Sequence, residues 1–321
     1  MTIADLVSSP DNYLHSFEGD EAVFVPMDRA AYRRSIFLDA RISPAADGAM
    51  RVPLELLDVS AVQTPPMGWI FHVAHCGSTL LARGLEDLTG TLMLKEPAAL
   101  RQLGFAPDNA RLELVLAMLA RRYDAHAPSV VKANVPVNFL LAEIAARRPQ
   151  DRAIALYWSL ADYLTAILRS ENHRQWLRGI TDHFAAEIAL PAGASDAIRA
   201  AALWRGQAQR FLALAQAMPK SATLDASLLF ADPARALGLA AAHLGLPASP
   251  AMVEQIVKGA LFATYSKQPG LAFDNSDRLA RAEAISSAVG AEIESADAWI
   301  DRNGDSAQGI EAKLREIALG G

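Results

Sequence analysis

The spacing of hydrophobic and polar positions changes near residue 66. Before it, apolar residues alternate or cluster at 21–27, 34–39 and 50–57, the pattern of short strands, with turn-rich segments at 43–48 and 63–68. Residues 1–65 therefore read as a small β-containing extension packed on the main domain. After it, short apolar runs at 69–73 (WIFHV), 91–94, 129–132, 153–157 (AIALY) and 222–225 read as strands. Between them, Leu81, Leu85 and Leu88 share one helical face, as do Leu112, Leu116 and Leu119. Val137, Leu140, Leu141 and Ile144 mark a helix that Pro136 starts and Pro149 stops. Short apolar strands alternating with helices predict an α/β fold over 66–321, a three-layer arrangement around a mainly parallel sheet.

Composition narrows the classes. The chain has 321 residues, 52% of them hydrophobic, enough for a large core. A net charge of −6 argues against a general nucleic-acid binder, although 30 Lys and Arg leave room for a local basic pocket. A single cysteine, Cys76, excludes an internal disulfide and a multi-cysteine metal site. No basic segment followed by an apolar stretch opens the chain, and no apolar run approaches the roughly 18 to 20 residues of a membrane helix. A cytoplasmic protein with no nucleic-acid or membrane partner is expected, and a homo-oligomer stays open.

The first strand of the α/β region leads into Val73-Ala74-His75-Cys76-Gly77-Ser78-Thr79-Leu80, and a helix begins there. Gly77 permits close approach of a ligand to the backbone. The amides after it lie at a helix N-terminus, where free N–H groups and the helix dipole suit a phosphate, and Ser78 and Thr79 add hydroxyls. A strand, a phosphate-cradling loop and a helix in that order predict a P-loop-type fold. The triphosphate form of such a loop needs Lys directly after its last Gly, and here Ser78 holds that place. No acidic residue at a strand end stands out as a Mg²⁺ ligand. The loop thus fits a ligand with fewer phosphates and no obligatory metal.

These residues resemble the sulfotransferase superfamily, whose loop for the 5′-phosphosulfate of PAPS (3′-phosphoadenosine 5′-phosphosulfate) runs basic residue, small residue, Gly, then hydroxyl residues. His75-Cys76-Gly77-Ser78-Thr79 has that order, with His75 where Lys or Arg is usual. Further blocks come in sequence over about 69–280: Lys95-Glu96-Pro97, Val130-Val131-Lys132-Ala133-Asn134 before Pro136, Leu224-Asp225 with Asp232-Pro233 and Leu244-Gly245-Leu246-Pro247, and Tyr265-Ser266-Lys267-Gln268-Pro269 with Arg278 downstream. The resemblance implies a P-loop NTPase-like fold, PAPS and PAP as cofactor pair without metal, and transfer of a sulfuryl group to a hydroxyl or amine of a small-molecule or glycan acceptor. It places His75, Cys76, Gly77, Ser78, Thr79 and Leu80 around the 5′-phosphosulfate, Thr165 at the 3′-phosphate, and Lys267 and Arg278 in a late loop closing over the cofactor. In this alignment Tyr157 stands where the family has an Arg, so Arg169, Arg174 or Lys267 would have to supply that charge.

Within that reading Glu96, at a strand end, is the candidate general base, and His75 and Lys132 are candidate groups for developing negative charge. Lys132 reads equally as half of a structural ion pair, and Glu96 as a partner of Lys95. His72 reads as a core histidine and Cys76 as a small loop filler, because a cysteine phosphatase needs an Arg about six residues on, where Ala82 stands. Arg83 reads as a phosphate contact or a solvated cation. Arg121-Arg122 and Arg147-Arg148 read as structural helix ends, and Trp204 as core. Two other readings stay open: an atypical P-loop kinase, and a nucleotide-binding protein without catalysis.

Overall fold

The computed structural model describes residues 2–60, 62–265, 268–272 and 275–320. The N-terminal part is an antiparallel sheet of β1 (Asn12–Glu18), β2 (Glu21–Pro26) and β3 (Met50–Pro53). β1 escapes the sequence pattern because its register slips between Leu14 and Ser16, which breaks the alternation of buried positions. The strand expected at 34–39 does not form. Asp28 accepts from the Ala31 N–H and starts the helix Arg29–Arg34 instead. The apolar residues after it form a connecting segment, in which Leu38 donates to Lys95 O (2.7 Å) and accepts from Ala98 N (3.1 Å). The strand expected at 50–57 stops at Pro53 and continues as the 3₁₀ turn Leu54–Leu56.

The main sheet contains β4 (Gly68–His72), β5 (Met93–Lys95), β6 (Val130–Lys132), β7 (Arg152–Tyr157) and β8 (Ser221–Asp225), in the order β5-β6-β4-β7-β8, all parallel. Each lies within two residues of its predicted position. The first strand of this sheet in chain order is its middle strand, and helices cover the sheet as expected of a P-loop-type three-layer fold. Every residue of β4 is buried, consistent with an unbroken apolar run. The Trp69 indole donates to Asp151 (2.8 Å), and Arg148 pairs with the same carboxylate while donating to the carbonyls of Thr64 and Pro65. The 22-residue helix Asp196–Ala217 carries Trp204, wholly buried, whose Nε1 donates to Trp158 O (2.9 Å). Among the described residues no helix is long and apolar enough to cross a membrane.

The N-terminal sheet is fastened by buried polar groups as well as by apolar packing. Arg121 donates to the carbonyls of Leu6, Ser9 and Asn12, so it is the structural cation expected, although it serves the N-terminal segment and not only its own helix end. Gln102 makes two hydrogen bonds to the Phe17 backbone. Lys95 does not pair with Glu96. Its ammonium is buried against both oxygens of Glu86 (2.9 and 2.7 Å) and the Tyr32 carbonyl (3.0 Å).

Burial pushes the Glu86 carboxyl up to about 7 against the opposing pull of Lys95, and burial likewise lowers the Lys95 ammonium against the pull of Glu86. Breaking such a pair leaves an uncompensated buried charge, so Lys95→Met is expected to cost about 3–5 kcal/mol at pH 8. A carboxyl whose folded pKa is raised contributes stability that is present below its unfolded value and lost as pH rises through the folded one. Urea unfolding of Lys95→Met should therefore show stability falling between pH 5 and pH 8, and adding Glu86→Gln should remove that slope. A pH-independent loss in the single variant would place the cost in packing alone.

Candidate functional site

β4 ends at His72, and the chain turns into the helix Ser78–Thr89 through residues 73–77. Val73 N still bonds Leu156 O (3.1 Å), so the turn begins from a strand held by β7. His75 (φ 61°) and Gly77 (φ 84°) both lie in the left-handed region. A Cβ on Gly77 would stand 2.8 Å from Cζ of Phe230, which a side chain could not accommodate without displacing that ring. Gly77 is itself the helix N-cap and no side chain caps it, so Ser78 and Thr79 occupy the first helical turn and not the cap. The N–H groups of that turn have no intrahelical partner. Ser78 and Thr79 are buried, and the Thr79 hydroxyl has no hydrogen-bond partner among the described residues. Leu80 turns its side chain into the protein, which leaves only its backbone to face a ligand. Cys76 is wholly buried with Sγ 3.9 Å from Leu156 O, the small filler that was expected.

An aromatic pair borders the loop. Trp158 and Phe230 stack at 5.6 Å with rings 5° apart, and the Trp158 indole donates to His75 O (3.2 Å). The guanidinium of Arg278 lies 4.5 Å from the Phe230 ring centre and 5.8 Å from that of Trp158. Arg278 thus reaches the loop, but from the helix Asn275–Ala288 and not from a late loop; residues Thr264–Tyr265 and Gln268–Ala272 pair as a small antiparallel hairpin before it. Lys267 lies outside the described residues. Tyr157, assigned by alignment to a cation's place, is instead buried beside β8. Burial and then Asp225 push its phenol upward, and its hydroxyl has no hydrogen-bond partner among the described residues. The side chain that strand β7 delivers to the loop is its neighbour Trp158. Arg174 is held by Glu292 and Asp196, so it supplies no charge to the loop, whereas Arg169 bonds the His173 ring (3.2 Å). Thr165 donates its hydroxyl to Ala161 O within the helix Leu160–Leu168 (2.8 Å).

Beside the loop, where β4, β5 and β6 end, opens a cavity of ≈ 400 Å³. In parallel sheets ligands bind outside the carboxyl ends of the strands, for all the chain's exits from the sheet gather there. His72 and His75 come from the end of β4, Glu96 from the end of β5 and Asn134 from beyond β6. His72 is buried as expected, yet it faces this cavity and not only the core. Glu96 accepts from Lys132 Nζ, a buried ammonium that also lies 5.6 Å from the Phe37 ring centre, so Lys132 is half of an ion pair with a residue that lines the cavity. Glu96 has φ 57°. Among the described residues three non-glycine positions have positive φ, and two of them, His75 and Glu96, line this cavity. Such backbone strain persists only where the surroundings enforce it, and functional sites are where it concentrates.

Two walls come mainly from residues that the sequence did not single out. Asp39 and Arg41 reach the cavity from the N-terminal segment as an ion pair, with Arg41 over the Phe37 ring (3.9 Å). Burial alone would raise the Asp39 carboxyl, but hydrogen bonds from Arg41 and the nearby cations hold it below the ordinary range. The helix Glu171–His183 supplies His173, Trp176 and Ile180, spaced along one face. The His75 ring stacks on that of His173 at 3.9 Å. The i, i+3, i+7 spacing of His173, Trp176 and Ile180 was the available signal for this wall. Among the described residues no group of three His, Cys, Asp or Glu could hold a metal ion.

No family model and no curated protein sequence matches the chain. Among solved structures it is similar to the "Sulfotransferase Domain from the Curacin Biosynthetic Pathway", with 14% identity over 74% of this chain and 98% of that one and a TM-score of 0.40. A likeness of that degree names no reaction.

Replacing Gly77 by Ala should destabilise the fold by more than the same change at Gly90. Both have positive φ, which costs a side chain about 1–2 kcal/mol, but a Cβ at Gly90 meets nothing within 4 Å. Urea unfolding of the two variants isolates the Phe230 contact as their difference, and equal losses would show that Phe230 yields freely.

Proposed function

We propose that the protein is a sulfotransferase that moves a sulfuryl group from PAPS to a hydroxyl or amine of a small acceptor held in the ≈ 400 Å³ cavity. The observation that carries this reading is the meeting, at one edge of the sheet, of an uncapped helix N-terminus and a strained carboxylate, Glu96, that opens onto the same cavity as His75. The ordered motif resemblance supplies the donor's identity.

The residues present fit a phosphate-bearing donor. The free N–H groups at the start of the helix Ser78–Thr89 would hold its 5′-phosphate, and the Thr79 hydroxyl, buried without a partner, would donate to it. Arg278 and the Trp158–Phe230 pair would take the remainder of the nucleotide, an anion beside the guanidinium and a flat base against the rings. PAPS contributes the activated S–O bond, and the protein contributes position and charge. Glu96 would take the acceptor's O–H or N–H proton as the new bond to sulfur forms and the S–O bond to the donor phosphate breaks, with PAP as the leaving group. Protonation of Glu96 removes the counter-charge of Lys132, so its ammonium becomes available to negative charge in the cavity. His75, a residue of the loop stacked on His173, lines the same cavity as Glu96 and would donate a hydrogen bond to either substrate.

Calorimetric titration with PAP, PAPS and ATP–Mg²⁺ tests the donor. PAP and PAPS should bind and ATP–Mg²⁺ should not; the reverse pattern would favour a P-loop kinase and end the sulfotransferase reading. With turnover in hand, Glu96→Gln should slow it by roughly 10²–10⁴-fold, the usual worth of a general base, with PAP affinity little changed. Unchanged turnover would remove Glu96 from the mechanism.

A further inference from the structure

The cavity beside the loop has three chemically distinct parts, and together they describe a ligand. Its polar lining includes Glu96 and Asn134. Asn134 is only 8% exposed, lines the cavity, and has a side-chain oxygen with no hydrogen-bond partner among the described residues. A buried amide left unsatisfied in this way costs stability unless a ligand completes it. Its apolar part includes Phe105, Trp176 and Ile180, and Trp176 is more exposed than a ring of its size ordinarily is.

The third part is a charge imbalance. Glu96 is paired with Lys132 and Asp39 with Arg41, which neutralises both carboxylates of the cavity. Arg101 remains. It is exposed, its guanidinium lies 5.5 Å from the Phe105 ring centre, and no described carboxylate comes within ion-pair distance of it. One cation in excess beside an aromatic wall suits one negative charge on a flat ligand, because Arg binds carboxylates through two parallel N–H groups. A cavity of ≈ 400 Å³ is in the range that encloses a small molecule.

We infer that this cavity takes a small aromatic acid bearing a hydroxyl or amine. The ring packs on Trp176 and Phe105, the anionic group meets Arg101, and the O–H or N–H bonds to Asn134 beside Glu96. That such a ligand is the acceptor rests on the sulfuryl-transfer reading above; that it binds does not.

Calorimetry on the full chain, with and without saturating PAP, compares 4-hydroxyphenylacetate with 4-methylphenol, which lacks the charge, and phenylacetate, which lacks the hydroxyl. The hydroxy acid should bind about ten-fold or more tighter than either, the size expected for one charge-assisted hydrogen bond. Arg101→Gln should erase its margin over 4-methylphenol, and Asn134→Leu its margin over phenylacetate. Equal affinity for the three probes, no binding at millimolar concentration, or an acid preference that survives Arg101→Gln would overturn the assignment. Arg101 is exposed, so its variant decides the matter even if Asn134→Leu does not fold. Failure of PAP to bind would count against sulfuryl transfer alone, since the rank order of the probes is read equally in titrations without it.

Discussion

The central strand β4 is hydrogen-bonded on both sides by parallel neighbours, β6 and β7, and the geometry of the site arises from that one constraint. A parallel strand paired on both sides must be buried on both faces and must release its chain at the same edge as its neighbours. The turn after β4, the Lys95–Glu96 end of β5 and the Lys132–Asn134 end of β6 are therefore brought to one place, although they are far apart in sequence. The strand-end side chains of the cavity follow from the sheet's own register, in which Lys95 stands level with Lys132 and Ile70.

Consecutive residues at the end of β5 carry opposite charges to different partners. Lys95 goes to Glu86 and the Tyr32 carbonyl, while Glu96 goes to Lys132 and the cavity. The left-handed backbone at Glu96 accompanies this division. A buried ion pair is weak evidence for net stability, because desolvation offsets much of the attraction. What the Lys95 pair does secure is location: the carbonyl of Tyr32 and the backbone of Leu38 are fixed against the end of β5. Asp39 and Arg41 come directly after and reach the cavity. The N-terminal segment is thus part of the wall of the site, and the same contacts that dock it also shape the pocket.

Strain and polar frustration gather at this edge. His75 and Glu96 hold positive φ, Gly77 lies under Phe230 where no Cβ fits, and the Thr79 hydroxyl and the Asn134 amide oxygen are buried without partners. Each of these departs from the lowest-energy choice for its residue; beyond these residues Ala189 also holds positive φ, and the Tyr157 hydroxyl and the Asn138 amide oxygen are also buried without partners among the described residues. The Asn134 amide lies on the cavity whose charges otherwise cancel except at Arg101.

Local pattern alone located the five parallel strands, the helix after the loop and the position of Gly77, whereas His75, Glu96 and Lys132 came forward as candidates through the motif resemblance. Apolar periodicity and turn chemistry are properties of neighbouring residues, so they survive in one dimension. The exclusion of a triphosphate loop was legible in the same way, since it depends on a single adjacent residue, Ser78. Which side chain each strand end presents was settled by packing in three dimensions. A step of one residue moves a side chain to the other face, so Tyr157 is in the core and Trp158 is at the loop. Packing also settled the helix Arg29–Arg34 in place of a strand at 34–39, the helical seat of Arg278, and the walls made by Asp39, Arg41, His173 and Trp176. Those residues are distant in sequence from the loop, and their meeting depends on how whole elements pack, which no local pattern encodes.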